Sequence, residues 1–176
     1  MVTIATSRLN CTQIAESDWN FFHALQTDPQ VMYYVADMPS DEEIRAAFTS
    51  RLPLWSPQSP HWLCLVVSDK ATGKKLGVTG YIHRGPDCAE VGFLFAPEAQ
   101  GLGYGTESLK AVCDYAFREG GIKRLIATVT AGNLASRSVL EKVGFTLEQE
   151  LHESYLLRNQ LHNDWLFGLM RDAYFS

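Results

Sequence analysis

Three glycines at alternate positions, Gly101, Gly103 and Gly105, lie between an apolar run that ends at Pro97 and an amphipathic stretch. A strand ending near Pro97 and a helix beginning near Gly103 would leave several N–H groups at the helix start without intrahelical partners, at the positive end of the helix dipole. Such groups bind anions, and glycine lets phosphate oxygens reach them and tolerates a positive φ. The spacing predicts a phosphate-binding loop.

Two common phosphate motifs are excluded by the same spacing. The dinucleotide motif G-x-G-x-x-G would place its third glycine at position 106 or 108, where the chain has Thr106 and Ser108. No G-x-x-x-x-G-K followed by Ser or Thr occurs. The pattern that remains is Gln100-x-x-Gly103-x-Gly105, with an ordinary tight turn as the alternative interpretation of the glycines.

Hydrophobic periodicity and turn residues predict the elements that hold this loop. Strands are expected at about 8–14, 62–68, 76–83, 89–95, 125–130, 146–157 and 165–170. Helices are expected from Ser17 or Asp18 to Thr27, from the Ser40 capping box to Leu52, from the glycines to Gly120, and from about Ala135 to Val143. The order β α α β β β α β α β β predicts an α/β fold with helices on a mixed sheet.

Composition narrows the classes of protein to consider. With 176 residues, 46% of them hydrophobic, and no linker, residues 1–176 are expected to form a single domain. No apolar run reaches the ~20 residues of a membrane span, and the first residues lack a secretory signal, so a cytoplasmic protein is expected. Four scattered cysteines predict reduced thiols and no metal site. A net charge of −5 with dispersed basic residues argues against nucleic-acid binding.

Two further stretches accompany the glycine loop, Asn133-Leu134-Ala135-Ser136 and Glu141-Lys142-Val143-Gly144-Phe145. Together with Gln100-x-x-Gly103-x-Gly105 they resemble the acyl-coenzyme A (CoA) loop, the Asn-x-x-Ser stretch and the Gly-Phe stretch of the GCN5-related N-acetyltransferase (GNAT) superfamily. The resemblance implies the single-domain acyl-CoA N-acyltransferase fold, with a mixed, mostly antiparallel sheet of about seven strands flanked by about four helices.

Features near both ends of the chain resemble one branch of that superfamily. Ser7-Arg8-Leu9, Asp18 and the late Asp164 are similar to the ribosomal-protein N-terminal acetyltransferases of the RimJ/RimL type. The resemblance therefore extends over nearly the whole chain.

The resemblance also implies acetyl-CoA as co-substrate and assigns its contacts. Strand backbone would hold the pantetheine arm, the glycine loop would hold the pyrophosphate, and the next helix would supply further contacts. The corresponding residues are Phe93, Leu94 and Phe95; Gln100, Gly101, Leu102, Gly103, Tyr104, Gly105 and Thr106; and Asn133 with Arg137 or Lys142. Alternatively, the strand side chains are only sheet core and Asn133 is only a helix cap.

Acetyl transfer to an amine requires a neutral amine, a stabilised oxyanion and a proton for the thiolate. Glu90 is the candidate base, with Glu150 and Glu153 in reserve, although Glu90 alternatively is a solvated charge at a strand end. A backbone N–H near Leu94 or Phe95 would meet the oxyanion. The superfamily's usual tyrosine is replaced by Leu140, so Ser136 is the candidate acid, or else only a helix-start hydroxyl.

The preferred function is direct acetyl transfer from acetyl-CoA to a primary amine, without metal. The branch suggests a protein N-terminal α-amine, such as that of a ribosomal protein, with Tyr33 and Tyr34 lining the amine pocket. A polyamine, amino-acid or aminoglycoside acetyltransferase, or a non-catalytic CoA-binding module, are the alternatives. A monomer or homodimer without nucleic-acid or membrane partners is expected.

Overall fold

The computed structural model describes all 176 residues, and its eight strands form one sheet in the order β1-β2-β3-β4-β5-β6-β8-β7. The strands are β1 Thr3–Ala5, β2 Leu9–Gln13, β3 Leu63–Asp69, β4 Lys75–His83, β5 Cys88–Phe95, β6 Arg124–Thr130, β7 Thr146–Leu157 and β8 Gln160–Met170. The helices are α1 Trp19–Thr27, α2 Pro29–Met32, α3 Asp41–Arg51, α4 Tyr104–Arg118, α5 Leu134–Val143 and α6 Arg171–Tyr174. No helix combines the length and apolar character that crossing a membrane requires.

The predicted mixed, mostly antiparallel sheet is confirmed. Every pair of neighbouring strands is antiparallel except β5 and β6, which run parallel. That parallel pair is short, because only Cys88–Glu90 of β5 pairs with Arg124–Ile126 of β6. Both strands continue beyond the pair, so they diverge and leave a gap in the middle of the sheet.

The two faces of the sheet carry separate hydrophobic cores. Helices α4 and α5 cover one face through a 25-residue cluster that includes Leu109, Phe117 and Phe167. Helices α1 to α3 cover the other through an 11-residue cluster that includes Phe22 and Phe48. The cores fix both helical layers relative to the central gap.

Local signals account for several helix ends. Ser40 and Glu43 form the predicted capping box at the start of α3, with hydrogen bonds of 3.1 and 3.0 Å. Gly144 ends α5 in the left-handed region, with φ of 120°. Asp18 precedes α1 as predicted, but its carboxylate accepts from the Ala15 N–H and pairs with Lys75 instead of capping that helix.

Three short elements and one strand boundary differ from the sequence prediction. Strand β1 and helices α2 and α6, of three or four residues each, are too short for a periodic pattern. The predicted connection over residues 158–164 was wrong, because β8 begins at Gln160. Only Arg158 and Asn159 turn the chain, with φ of 48° and 61°, and the polar residues that follow belong to β8.

Candidate functional site

The gap between β5 and β6 opens into two cavities that share walls. One, of about 690 Å³, is bounded by the glycines at 101, 103 and 105, and we call it the glycine-loop cavity. The other, of about 470 Å³, is lined by Glu90 and Asp164, and we call it the carboxylate cavity. Phe93, Leu94, Asn133 and Ser136 line both, so the sequence-predicted strand and helix residues lie at the junction.

The glycine loop presents a continuous row of free donors. The backbone N–H groups of residues 101 to 106 make no hydrogen bond within the protein, and α4 begins at Tyr104. Gly101 and Gly103 have φ of 76° and 83°, and the space around Gly101 is open. A Cβ at Gly105 would lie 3.3 Å from Val139, so the last glycine lets α4 approach α5 closely. This cradle fits a diphosphate.

Among the non-glycine residues of the loop, only Gln100 and Thr106 line the cavity. The Gln100 amide donates to the Phe95 carbonyl at 3.0 Å, which ties the loop to the end of β5. Leu102 is exposed, whereas the Tyr104 ring lies beneath the Arg8 guanidinium at 4.5 Å. Thr106 lines the glycine-loop cavity. The loop therefore offers its backbone to a ligand and uses side chains mainly to hold its shape.

Arg8 supports the loop from a distant part of the sequence, and its role was missed beyond its place in the branch motif. Its guanidinium donates to the Leu102 carbonyl at 3.0 Å and to Glu107 at 2.7 Å. Partial burial raises the pKa of Glu107, but hydrogen bonds from Thr6 and Arg8 outweigh it and hold that pKa below its ordinary value. Arg8 thus links the Leu102 carbonyl of the loop to Glu107 in the first turn of α4.

The start of α5 brings Asn133 and Ser136 to the junction. The side-chain Oδ1 of Asn133 accepts from the Ser136 N–H at 3.3 Å, so Asn133 is a helix cap and also lines both cavities. The Ser136 hydroxyl makes no hydrogen bond within the protein and remains free to donate. Leu140, in the position of the superfamily's tyrosine, is fully buried.

The two candidate phosphate-binding cations of α5 lie in different places. Arg137 pairs with Glu141 at 3.2 Å and lies over the Trp165 ring at 4.8 Å, outside both cavities. Lys142 lines the glycine-loop cavity. The structure thus brings Lys142, and not Arg137, to the wall where phosphates would lie.

Glu90 and Asp164 share one face of the sheet, on opposite sides of the gap. Glu90 pairs with Ile126 of β6, Thr130 pairs with Asp164 of β8, and residues 126, 128 and 130 alternate onto one face. The Arg84 guanidinium donates to one Glu90 oxygen at 2.9 Å. Asp164 is only 9% exposed, has no cationic partner and accepts from the Ser154 hydroxyl at 3.1 Å. The cavity therefore holds two carboxylates.

The reserve carboxylates lie elsewhere. Glu150 accepts from the Trp165 indole at 2.7 Å, and Glu153 lies at an irregularity of β7 with φ of 45°. Neither lines the two cavities. Of the three candidate bases, only Glu90 therefore lines one of the two cavities.

The predicted acceptor tyrosines form part of a wall held by the β7–β8 hairpin. Tyr34 lines both cavities, whereas Tyr33 is half exposed at the glycine-loop side. Arg158 donates to the Tyr33 carbonyl at 2.7 Å and lies 4.0 Å over its ring, and Tyr155 donates to the Val35 carbonyl. Burial, with Asp164 and Asp37 nearby, raises the pKa of the Tyr155 hydroxyl, which therefore stays protonated.

Comparison with known proteins agrees with this geometry. Residues 8–146 match the Acetyltransferase (GNAT) domain family. Among curated relatives, the N-acetyltransferase YnaD of Bacillus subtilis is 24% identical over 172 residues, which span 97% of this chain and 98% of that protein.

Solved structures share the fold at low sequence identity. Spermidine N-acetyltransferase from Vibrio cholerae, solved with CoA and spermine, has a TM-score of 0.84 and 20% identity, over 97% of this chain and 100% of that one. RimL, an α-N-protein acetyltransferase of ribosomal L7/L12 solved with CoA, has a TM-score of 0.84 and 22% identity, over 98% and 99%. Because the family match covers most of the chain and includes the glycine cradle, this protein belongs to the GNAT acetyltransferase family and is an N-acetyltransferase with acetyl-CoA as its co-substrate.

Proposed function

We propose that this protein transfers acetyl directly from acetyl-CoA to the N-terminal α-amine of a protein. The observation that carries the proposal is the junction itself. Six consecutive N–H groups are free, four of them on residues that line one cavity, and the gap beyond Glu90 joins it to a cavity with two carboxylates. An anionic donor and an amine acceptor can thus approach the same strand from opposite sides.

Backbone groups would bind and orient the donor, which supplies the acetyl thioester. The N–H groups of residues 101 to 106 would hold the pyrophosphate, with Lys142 near the remaining phosphate charge. Beyond Glu90, β5 has no strand partner on its β6 side, so its backbone at Phe93 to Phe95 is available to the pantetheine. An N–H near Leu94 or Phe95 would stabilise the negative charge that develops on the carbonyl oxygen.

Glu90 would accept the proton of the acceptor amine, directly or through a water molecule. Arg84 binds one carboxylate oxygen and leaves the other free toward the cavity. An α-amine with a pKa near ~8 is already neutral in about a tenth of molecules at pH 7, whereas a lysine amine near ~10.4 costs about 4 to 5 kcal/mol to deprotonate. A modest base is therefore sufficient for an N-terminal amine.

Ser136 would donate a proton to the departing thiolate. Its hydroxyl is unpaired and lies at the wall shared by both cavities, whereas Leu140 offers no proton. A CoA thiolate is also a tolerable leaving group, so the positioning of donor and acceptor supplies much of the rate.

The choice of acceptor is supported by the branch motif Ser7-Arg8-Leu9 and by the likeness to RimL, whose acceptor is a ribosomal protein. A small amine is the second candidate, because relatives also include a spermidine N(1)-acetyltransferase of Escherichia coli, 23% identical over 150 residues. The carboxylate cavity, of about 470 Å³, accommodates either an N-terminal residue or a small molecule.

An assay of CoA thiol release tests the proposal. Acetyl-CoA is incubated with peptides bearing a free N-terminus, with the same peptides blocked at the N-terminus, and with spermidine. We expect release with the free peptides and only background release with the blocked ones. Spermidine as the better acceptor would favour the second candidate, and release that no amine accelerates would contradict acetyl transfer.

A further inference from the structure

An arginine without a carboxylate partner lies in the wall of the carboxylate cavity. Arg51 is the last residue of α3 and lines this cavity. Its Nη1 donates to the Ala47 carbonyl at 2.8 Å and to the Ser50 hydroxyl at 3.4 Å. No carboxylate lies within 4.0 Å of its guanidinium. The Nε and the second Nη make no hydrogen bond within the protein, so one donor edge is unused.

The surroundings of this guanidinium are apolar and largely shielded from water. Its central carbon lies 5.8 Å from the centre of the Phe22 ring and 5.9 Å from that of Trp62. Burial lowers the pKa of Arg51 from its ordinary value, although an arginine remains charged at neutral pH. A cation that has lost much of its hydration gains most from an anionic partner in such a place.

The position of Arg51 relates it directly to the reaction centre. The Trp62 ring lies over Gly92, since a Cβ there would meet the ring at 3.2 Å. Gly92 is two residues from Glu90 on the same face of β5, which corresponds to about 7 Å along the strand. Trp62 therefore lies between Arg51 and the strand that carries Glu90, and all three residues line the same cavity.

The charges of the cavity have an asymmetric arrangement. Glu90 and Asp164 can each attract an ammonium group, whereas Arg51 repels a second cation and attracts an anion. A polyamine would bring positive charge against Arg51. A molecule with one primary amine and one carboxylate would satisfy both signs.

We propose that Arg51 is a specificity-determining residue that binds a carboxylate of the acceptor, so that the preferred acceptor carries a carboxylate close to its primary amine. This inference rests on the proposed acetyl transfer and concerns the chemistry of its acceptor, so a preference for free leucine would replace the protein N-terminus as the acceptor. The carboxylate has two possible sources, the α-carboxylate of a free amino acid or an acidic side chain at a peptide N-terminus. Both present an anion to the free edge of the guanidinium.

Matched acceptors that differ in the charge of one group test the proposal, with rates compared per neutral amine because the free carboxylate also makes the amine of leucine more basic than that of leucinamide. One arm compares leucine with leucinamide, and the other compares a C-terminally amidated tetrapeptide that begins with Glu with the same peptide beginning with Gln. Spermidine serves as the acceptor with no carboxylate. We expect one carboxylate acceptor to exceed its neutral partner in kcat/KM by about 10- to 100-fold, as for a hydrogen-bonded charge pair, and the arm that does so identifies the source.

The variant Arg51→Met separates recognition from a structural role of the arginine at the end of α3. It should bring the ratio of kcat/KM between the matched acceptors close to one, whereas a merely structural role would lower both values together. Arg45→Met is the matched control, because Arg45 lies on the same helix over the Trp19 ring and outside the cavity. If Arg51→Met does not fold, Arg51→Lys keeps the charge without the planar fork and should reduce the ratio several-fold.

The outcomes distinguish this inference from the proposal beneath it. Equal use of charged and neutral acceptors, a preference that survives in Arg51→Met, or spermidine as the best acceptor would each overturn the role of Arg51 while leaving acetyl transfer intact. Failure of every amine to accelerate thiol release would remove the proposed function and this inference together.

Discussion

The glycine-loop cavity and the carboxylate cavity meet at one strand but are built in opposite ways. The first takes its binding groups from consecutive backbone amides at residues 101 to 106. The second takes them from side chains that are distant in sequence, including Arg51, Glu90 and Asp164. A backbone cradle suits one constant ligand, whereas a wall of side chains can be altered one residue at a time. Donor binding and acceptor choice can therefore vary independently in this fold.

The largest expected effect lies on the carboxylate side. Glu90→Gln should lower turnover about 10³-fold at pH 7, within the range typical of a general base, because the base takes the proton that the nitrogen loses on attack as well as the ammonium proton, which alone accounts for about tenfold. The loss should shrink at a pH above the pKa of the acceptor amine, where the amine is neutral without assistance. Steady-state pH profiles measure this, and Glu150→Gln, which lies outside both cavities, is the control. A profile parallel to that of the unaltered protein would remove Glu90 from the mechanism.

A smaller effect, confined to donor binding, is expected from Gly101→Val. The side chain would cover the N–H groups of the loop, so we expect the Kd for acetyl-CoA to rise about 100-fold, or roughly 2.7 kcal/mol. Gly73→Val is a close control for backbone strain, since Gly73 has φ of 75° and Gly101 has φ of 76°, both in open surroundings. If calorimetry finds that both variants lose affinity for acetyl-CoA to a similar extent, the glycine loop is an ordinary turn and not the phosphate-binding site.

The smallest effect concerns the support of the cradle. Arg8→Met removes the bond to the Leu102 carbonyl and the pair with Glu107, and we expect acetyl-CoA to bind about tenfold less tightly, as for the loss of one charge-assisted contact. Arg118→Met is the control, because Arg118 lies 4.5 Å over an aromatic ring at the far end of the same helix. If Arg8→Met and the unaltered protein bind acetyl-CoA equally well, the glycine loop keeps its binding conformation without Arg8.

The donor side could be predicted from sequence because its signals are local. Close approach of phosphate oxygens to the amides at a helix start favours glycines, and these glycines lie within five residues of one another in the chain. The capping box at Ser40 and the ending of α5 at Gly144 have the same property. Each pattern lies within a few residues, so no tertiary contact is needed to recognise it.

The acceptor side could not be predicted in the same way. Asp164 shares a cavity with Glu90 only because β8 pairs with β6, and Arg51 lines that cavity only because α3 packs against one face of the sheet. One feature of the donor side also depends on tertiary structure, because spacing along α5 could not decide between Arg137 and Lys142, which have different surroundings. The strand boundary at Gln160 was hidden because its polar residues resemble a loop. Tertiary pairing determines these features.

The three-residue pairing of β5 with β6 has a consequence for the stability of the whole molecule. Where β5 and β6 stop pairing, their facing backbone N–H and C=O groups lack strand partners, and a bound ligand can supply the missing hydrogen bonds. A pantetheine bound along β5 would pair with this strand only in the folded protein, so the melting temperature should rise with the concentration of CoA. At a CoA concentration one hundred times its Kd, the free energy of unfolding should increase by about 2.7 kcal/mol.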